Sequence, residues 1–253
     1  MKLKKHNRKQ GGFTLIELSI VLVIIGLIVG GVLVGQDLIS AAEVRAQMSQ
    51  VEKTNTAVNT FRVKYNGLPG DLSNAGTFGF SPGVDGRNGN GQIESSETAL
   101  GQCGESLLFW RDLSQANLLE GAALITATDY DTGACGTTAV VSDLLPEGRI
   151  GGHITVYSQN GLNFFEVIGV DSIAADTGVV ATSAALKNID AYNIDQKLDD
   201  GAPSTGQVLA MQGGTALSTE AMNGTCREDD DNYEVAGDDA TSVECGLQFR
   251  AQF

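Results

Sequence analysis

Residues 18–36 carry no charged side chain, and they follow a start, residues 1–12, that holds five Lys or Arg and no acid. At about 1.5 Å per helical residue this uncharged run reaches about 28 Å, close to the hydrocarbon thickness of a bilayer. Inside lipid every peptide group must be satisfied by its own chain, so the run predicts a transmembrane helix. The basic flank is expected to stay in the cytoplasm, which leaves everything after residue 36 outside. A removable secretory signal fits poorly. Small residues for cleavage should follow the apolar region, whereas Gly11-Gly12 precede it here.

One acid sits at the head of this run. Glu17 opens the apolar stretch, and a carboxylate within lipid costs a few kcal/mol unless it finds a partner or a proton. If the chain is cut after Gly12, the new ammonium of Phe13 is the one cation at similar depth. A plainer reading is a carboxylate that complements the positive end of the helix.

The order of basic leader, Gly12-Phe13-Thr14-Leu15-Ile16-Glu17 and apolar helix resembles the prepilin motif of type IV pilins and type II secretion pseudopilins. The resemblance covers roughly residues 1–65. It implies cleavage after Gly12 by a prepilin peptidase and methylation of the Phe13 amine. It also implies that Glu17 pairs with that amine on a neighbouring subunit, and that assembly runs through an inner-membrane platform. The implied partners are copies of this chain or related pilins. One departure stands out. Many members carry a proline past the middle of the apolar helix, but here none occurs before Pro69, and Gly26, Gly30, Gly31 and Gly35 stand in the run instead. Each glycine costs about 1 kcal/mol relative to alanine in a helix, which would ease local unwinding. Close packing between helices is the other use of small residues.

Beyond Asp37 the apolar pattern narrows to a stripe. Val44, Val51, Val58 and Tyr65 recur every seventh residue, with Ala41, Met48 and Phe61 beside them and charges on the other faces. This predicts an amphipathic continuation of the same helix to about residue 65. Asn66-Gly67 and Pro69-Gly70 end it. The expected organisation is a leader, 1–12, a spine helix, 13–65, transmembrane over about 18–36, and a head, 66–253. Within the head, 105–119 reads as a short helix with Leu107, Trp110 and Leu113 inward. Residues 153–158 and 163–170 read as a hairpin through Gln159-Asn160-Gly161. A helix is expected over 183–199, and strands near 206–212 and 245–250. The fold class is therefore α+β, a long helix packed on a head with an antiparallel sheet. The stretches Tyr65-Asn-Gly-Leu-Pro-Gly-Asp71 and Trp110-Arg-Asp-Leu-Ser-Gln-Ala-Asn-Leu resemble one pilin-like subgroup.

After residue 12 the chain has 11 bases against 31 acids. That balance argues against nucleic acid as a partner. Cys103, Cys135, Cys226 and Cys245 all lie in the exported part, where disulfides are expected. Four cysteines allow three connectivities, and proximity in sequence favours Cys103–Cys135 and Cys226–Cys245. No cofactor is required, but Asp85-Gly-Arg-Asn-Gly-Asn-Gly-Gln-Ile-Glu-Ser-Ser-Glu97 has the look of a calcium loop. With Gly91 at the turn, Asn88, Asn90, Glu94 and Glu97 fall on liganding positions and Gln92 offers a carbonyl. Asp85 stands one residue early, and amides replace the usual carboxylates, so the expected site is weak. The other reading is a Gly/Asn turn without an ion. The acidic run Glu228–Asp231 reads as a solvated loop between two cysteines.

No nucleophile elbow, P-loop or His-Glu-x-x-His motif occurs, so an enzyme is not expected. The reading is a filament subunit of a type IV pilus or a related structure, inserted in the inner membrane as a precursor and mature in a periplasmic or extracellular filament. A secretion pseudopilin and a minor tip subunit with a ligand-binding head are the alternatives.

Overall fold

The computed structural model describes residues 14–80, 87–94, 104–119, 141–173, 180–212, 226–229 and 231–253. The chain divides into two compact units, one ending at Ala42 and the other running from Glu43 to Phe253.

A single helix, α1, runs Leu15–Tyr65 and contributes to both units. Through the first unit it is apolar on every side. Ile20, Leu22, Val23, Leu27 and Leu33 are all more than half exposed. This segment is long and apolar enough to cross a membrane, and none of its apolar window is buried by the protein. A helix hydrophobic all round needs an apolar surrounding from elsewhere, which a bilayer or other helices supply. The helix passes through Gly26, Gly30, Gly31 and Gly35 without a break, and a Cβ at any of them would meet nothing within 4 Å.

In the second unit the same helix turns amphipathic. Val44, Gln47, Val51, Thr54, Val58 and Phe61 are buried, spaced alternately three and four apart so that they form one face. The expected stripe is present, with Tyr65 and Met48 packed at its margin. Gln47 and Thr54, both polar, complete it. Gln47 earns its place by hydrogen bonding: its Oε1 accepts the Arg149 N–H at 2.7 Å and the Ile150 N–H at 3.4 Å.

The sheet is antiparallel throughout. Its strands are β1 (His153–Gln159), β2 (Leu162–Ile173), β3 (Val180–Ser183), β4 (Leu186–Lys187), β5 (Val208–Gln212) and β6 (Val243–Arg250). β1 pairs β2, β2 pairs β3 and β6, and β6 also pairs β4 and β5. The β1–β2 turn is the expected Asn160-Gly161, with both residues at positive φ, 53° and 80°, as a two-residue hairpin of this type requires. The register places Val156 opposite Phe165, Phe165 opposite Phe249, and Val167 opposite Leu247. These residues belong to the same core as Val58 and Phe61 of α1.

The described head also holds two short α-helices, α2 (Glu105–Gln115) and α3 (Asn188–Leu198), and three short 3-10 turns. The first lies within the expected span, with Leu107, Trp110 and Leu113 buried. The second begins later than the sequence pattern suggested. Ser183 ends β3 and Leu186–Lys187 form β4, with Leu186 paired to Cys245. Leu186 is apolar and buried in either arrangement, so its spacing could not distinguish them; pairing with the distant β6 decides it. Lys187 is still extended, at ψ 147°.

The chain end is tied to the spine. The Gln252 N–H donates to Asn55 Oδ1 at 2.9 Å, and Asn59 Nδ2 donates to the Gln252 carbonyl at 3.2 Å. The Phe253 ring sits 5.7 Å from that of Phe165 and 6.0 Å from that of Phe109.

Phe61 is fully buried and Val63, on the opposite face, is 88% exposed. Phe61→Ala is expected to destabilise the head by about 3–5 kcal/mol. Val63→Ala should stay within about 0.5 kcal/mol. Denaturant titrations of the two variants against the parent chain measure the contrast.

Candidate functional site

The N-terminal motif and the 87–94 loop are the two regions singled out by sequence. Gly12 and Phe13, the expected cleavage and methylation positions, lie outside the described residues. Glu17 lies within them. Its Oε2 accepts both the N–H and the hydroxyl of Thr14 at 2.8 Å, and its own N–H donates to Thr14 Oγ1 at 3.3 Å. Thr14 and Glu17 are three residues apart and bond reciprocally, which is a capping box. Free helix-start N–H groups have no partner from the helix itself, and this box satisfies two of them. The Thr-x-x-Glu spacing was a legible signal for it, and the reading from charge alone did not use it. Among the described residues neither bond uses Oε1.

The loop is held by carboxylates from outside it. The Asp71 carboxylate accepts the Gly89 N–H on Oδ1 at 2.6 Å and the Gly91 N–H on Oδ2 at 2.7 Å. Glu105, at the first turn of α2, accepts the Asn88 N–H at 3.3 Å and the Glu94 N–H at 2.8 Å. Two buried carboxylates from outside the loop thus collect four of its backbone donors. Arg87 at the loop entrance makes a two-pronged ion pair with Asp112 of α2, at 2.7 and 2.9 Å. Asp112 also takes the Gly70 N–H at 2.8 Å. Gly70, at φ 82°, runs so close to α2 that a Cβ would collide with the Glu105 carbonyl and the Phe109 backbone.

The residues expected to hold calcium are placed as follows. Asn88 and Asn90 both direct Nδ2 at Glu94 Oε2, at 2.7 and 3.1 Å. Their Oδ1 atoms accept the N–H two residues on, Asn90 and Gln92, at 2.9 and 2.7 Å. Gln92 spends its side-chain oxygen on the Ser158 hydroxyl at 3.3 Å. Asn163 ties the loop to the hairpin through the Ile93 N–H and the Gly91 carbonyl, both at 2.9 Å. Asp85 and Glu97 lie outside the described residues. Asp71, Glu105 and Asp112, which organise the loop, were not singled out in sequence, since each acts on a segment far from itself in the chain.

The Cys226–Cys245 disulfide is formed, with Cα atoms 5.0 Å apart. Cys103 and Cys135 lie outside the described residues. Within the loop that the disulfide closes, Asp229 accepts the Asp231 N–H at 2.8 Å, so this acid shapes the turn; those bonds hold its carboxyl below the usual range. Tyr233 donates its hydroxyl to the buried Asp195 at 2.7 Å. The carboxylates of Asp195, Asp199 and Asp200 converge within 4.8 Å. Each is occupied by the chain around it: Asp195 by Gly201 N–H, Asp199 by Gln207 and Val208 N–H, and Asp200 by Ala202 N–H and the Thr205 hydroxyl.

Burial moves several of these acids. Glu105 is pushed up to about 8, chiefly by burial, with the Asp71 charge adding and the loop N–H groups opposing. Burial likewise lifts Glu166 to about 7, against a hydrogen bond from Thr155. Asp195 rises to about 6 for the same main reason, opposed by its bonds from Tyr233 and Gly201.

Three comparisons bear on these sites. Residues 7–33 match the family model of the prokaryotic N-terminal methylation motif. The match is confined to the N-terminal part of the chain. No curated protein matches it. Among solved structures it is similar to the major type IV pilin PilA1 from Clostridium difficile, at TM-score 0.38 and 10% identity, over 85% of this chain and 98% of that one. That likeness is too distant to carry meaning for function.

The raised acids set a pH dependence. A carboxyl whose folded pKa exceeds its unfolded value binds more protons when folded, so stability falls as pH climbs between the two values. For Glu166 that window runs from the ordinary carboxylate range up to about 7. The lowered acids act only below the usual carboxylate range. The head is therefore expected to melt at a higher temperature near pH 5 than near pH 8. Glu166→Gln should remove on the order of 3 kcal/mol of that difference. Calorimetry across pH on both chains measures it.

Proposed function

We propose that this chain is a structural subunit of a type IV pilus or pilus-like filament. Its leader is cut after Gly12, Phe13 is methylated, and the freed apolar helix leaves the bilayer by packing against copies of itself or related pilins. One observation carries the reading: the methylation motif over residues 7–33 runs directly into a helix whose apolar residues find no cover in their own chain. Membrane and filament both supply that cover. The long acyl-facing surface makes the chain a membrane-anchored precursor first and a polymer later.

Glu17 has two tasks in this reading. It caps the helix through Thr14, and it offers a charge to the Phe13 amine of the next subunit. One substitution separates them. Glutamine fills the capping box as well as glutamate does but carries no charge. Glu17→Gln is expected to insert, be cleaved and keep its helix, yet to lose most filament assembly, and Glu17→Val is expected to assemble as badly. Wild-type filament yields from Glu17→Gln in negative-stain images and sheared-filament blots would rule out the charge pairing. Mass spectrometry of the mature N-terminus tests processing separately, and a chain that keeps residues 1–12 would overturn the proposal. Filaments at the cell surface favour a pilus over a short secretion filament.

We also propose a weak calcium site in the 85–97 loop, with Asp85, Asn88, Asn90, Gln92, Glu94 and Glu97 as its candidate ligands. The supporting feature is the convergence of both carboxamides on one Glu94 oxygen, where an ion could replace the amide hydrogens if the carboxamides turned. Affinity in the millimolar range of extracellular sites is expected. Titration calorimetry without calcium heat at that level removes it.

A further inference from the structure

The described chain contains four Asn-Gly steps, at Asn66, Asn88, Asn90 and Asn160. Such a step is the backbone's weakest point toward self-modification. The glycine nitrogen can attack the preceding carboxamide carbon, because no side chain on glycine hinders the approach. Two of the four steps lie in the 87–94 loop, and their surroundings differ from those of the other two.

Three contacts recur at both loop steps. The attacking nitrogens, Gly89 N and Gly91 N, each donate to a different oxygen of the same carboxylate, Asp71, at 2.6 and 2.7 Å. The carboxamide oxygens, Asn88 Oδ1 and Asn90 Oδ1, accept backbone N–H groups at 2.9 and 2.7 Å. The leaving nitrogens, Asn88 Nδ2 and Asn90 Nδ2, lie 2.7 and 3.1 Å from Glu94 Oε2. A base stands at the nucleophile, a donor at the oxygen that gains charge, and a second carboxyl at the leaving group. This is the arrangement that acyl transfer needs. Among the described residues no carboxylate accepts the N–H of Gly67 or Gly161. Asp71 is buried, whereas Asn88 and Asn90 are exposed to water.

We propose that Asn88 and Asn90 are sites of autocatalytic deamidation, with Asp71 as the base. Asp71 takes the proton from the glycine nitrogen as that nitrogen bonds to the asparagine Cγ. The Cγ–Nδ2 bond then breaks, and the nitrogen leaves as ammonia after gaining one proton, relayed through Glu94 or solvent. The product is a five-membered imide. Water opens the imide at one of its two carbon–nitrogen bonds, leaving an aspartyl or isoaspartyl residue. No oxidant or other reagent enters. The loop gains one negative charge per event, and Asn-Gly-Asn-Gly becomes an acidic sequence.

The test is peptide mapping of the full chain in detergent, incubated in neutral buffer and digested with trypsin. Cleavage after Arg87 and Arg111 isolates the two loop steps, while Asn66 and Asn160 fall on other peptides and serve as internal references. Folded chain should convert Asn88 or Asn90 about tenfold or more faster than Asn160, below the ~10²–10⁴ that a fully evolved general base contributes. In urea the four steps should converge on one rate. Asp71→Asn should abolish the advantage while the references keep their rates. If that variant does not fold, the urea arm decides alone. Loop steps no faster than Asn160 in the folded chain, or an advantage that survives urea or Asp71→Asn, would overturn the assignment.

Discussion

The head is organised by carboxylates that collect backbone N–H groups. Asp71, Glu105 and Asp112 hold the approach to α2 and the 87–94 loop. Asp195, Asp199 and Asp200 hold the segment that leads from α3 into β5. Regular elements cover only part of this head, and in the glycine-rich connections the peptide donors have no ladder to join. A buried unpaired donor costs as much as a lost hydrogen bond. A carboxylate with two oxygens and several lone pairs can satisfy two donors at once. The acidic composition therefore has an interior use as well as a surface one, and the chain's net charge of −15 understates how many acids are structural.

That solution has an electrostatic cost. Acids placed where they meet peptide groups are also removed from water, and Glu105, Glu166 and Asp195 all hold their protons more tightly as a result. Arg87 and Asp112 form an ion pair whose side chains are both nearly fully buried. The spine follows a contrasting rule. At its start Thr14 and Glu17 satisfy each other's backbone groups. Its second part carries a face whose two polar members, Gln47 and Thr54, are hydrogen-bonded.

Much of the architecture was legible in sequence because it rests on local periodicity. The uncharged run, the 3-4 stripe from Val44 to Phe61, and the Asn160-Gly161 hairpin each depend on neighbours within a few residues. The expected helix over 183–199 came out shorter because Leu186 fits either period, and only pairing with β6, some sixty residues on, resolves it. The loop site was half legible. Its glycines and asparagines marked a turn, but the groups that hold it, Asp71 and Glu105, stand outside it and follow no spacing rule. Pro69-Gly70-Asp71 was noticed as a resemblance, and its physical reason is the close approach of Gly70 to α2. The Thr14–Glu17 box is encoded in four residues by its Thr-x-x-Glu spacing.

The seam between Gln252 and the Asn55–Asn59 stretch of α1 joins positions 197 residues apart in one case and 193 in the other. Contacts so remote in sequence close late, since loop entropy must be overcome first. The amphipathic half of α1 can therefore form from its own residues well before this flank is covered, and the face that Gln252 closes stands open until the segment after β6 docks against it.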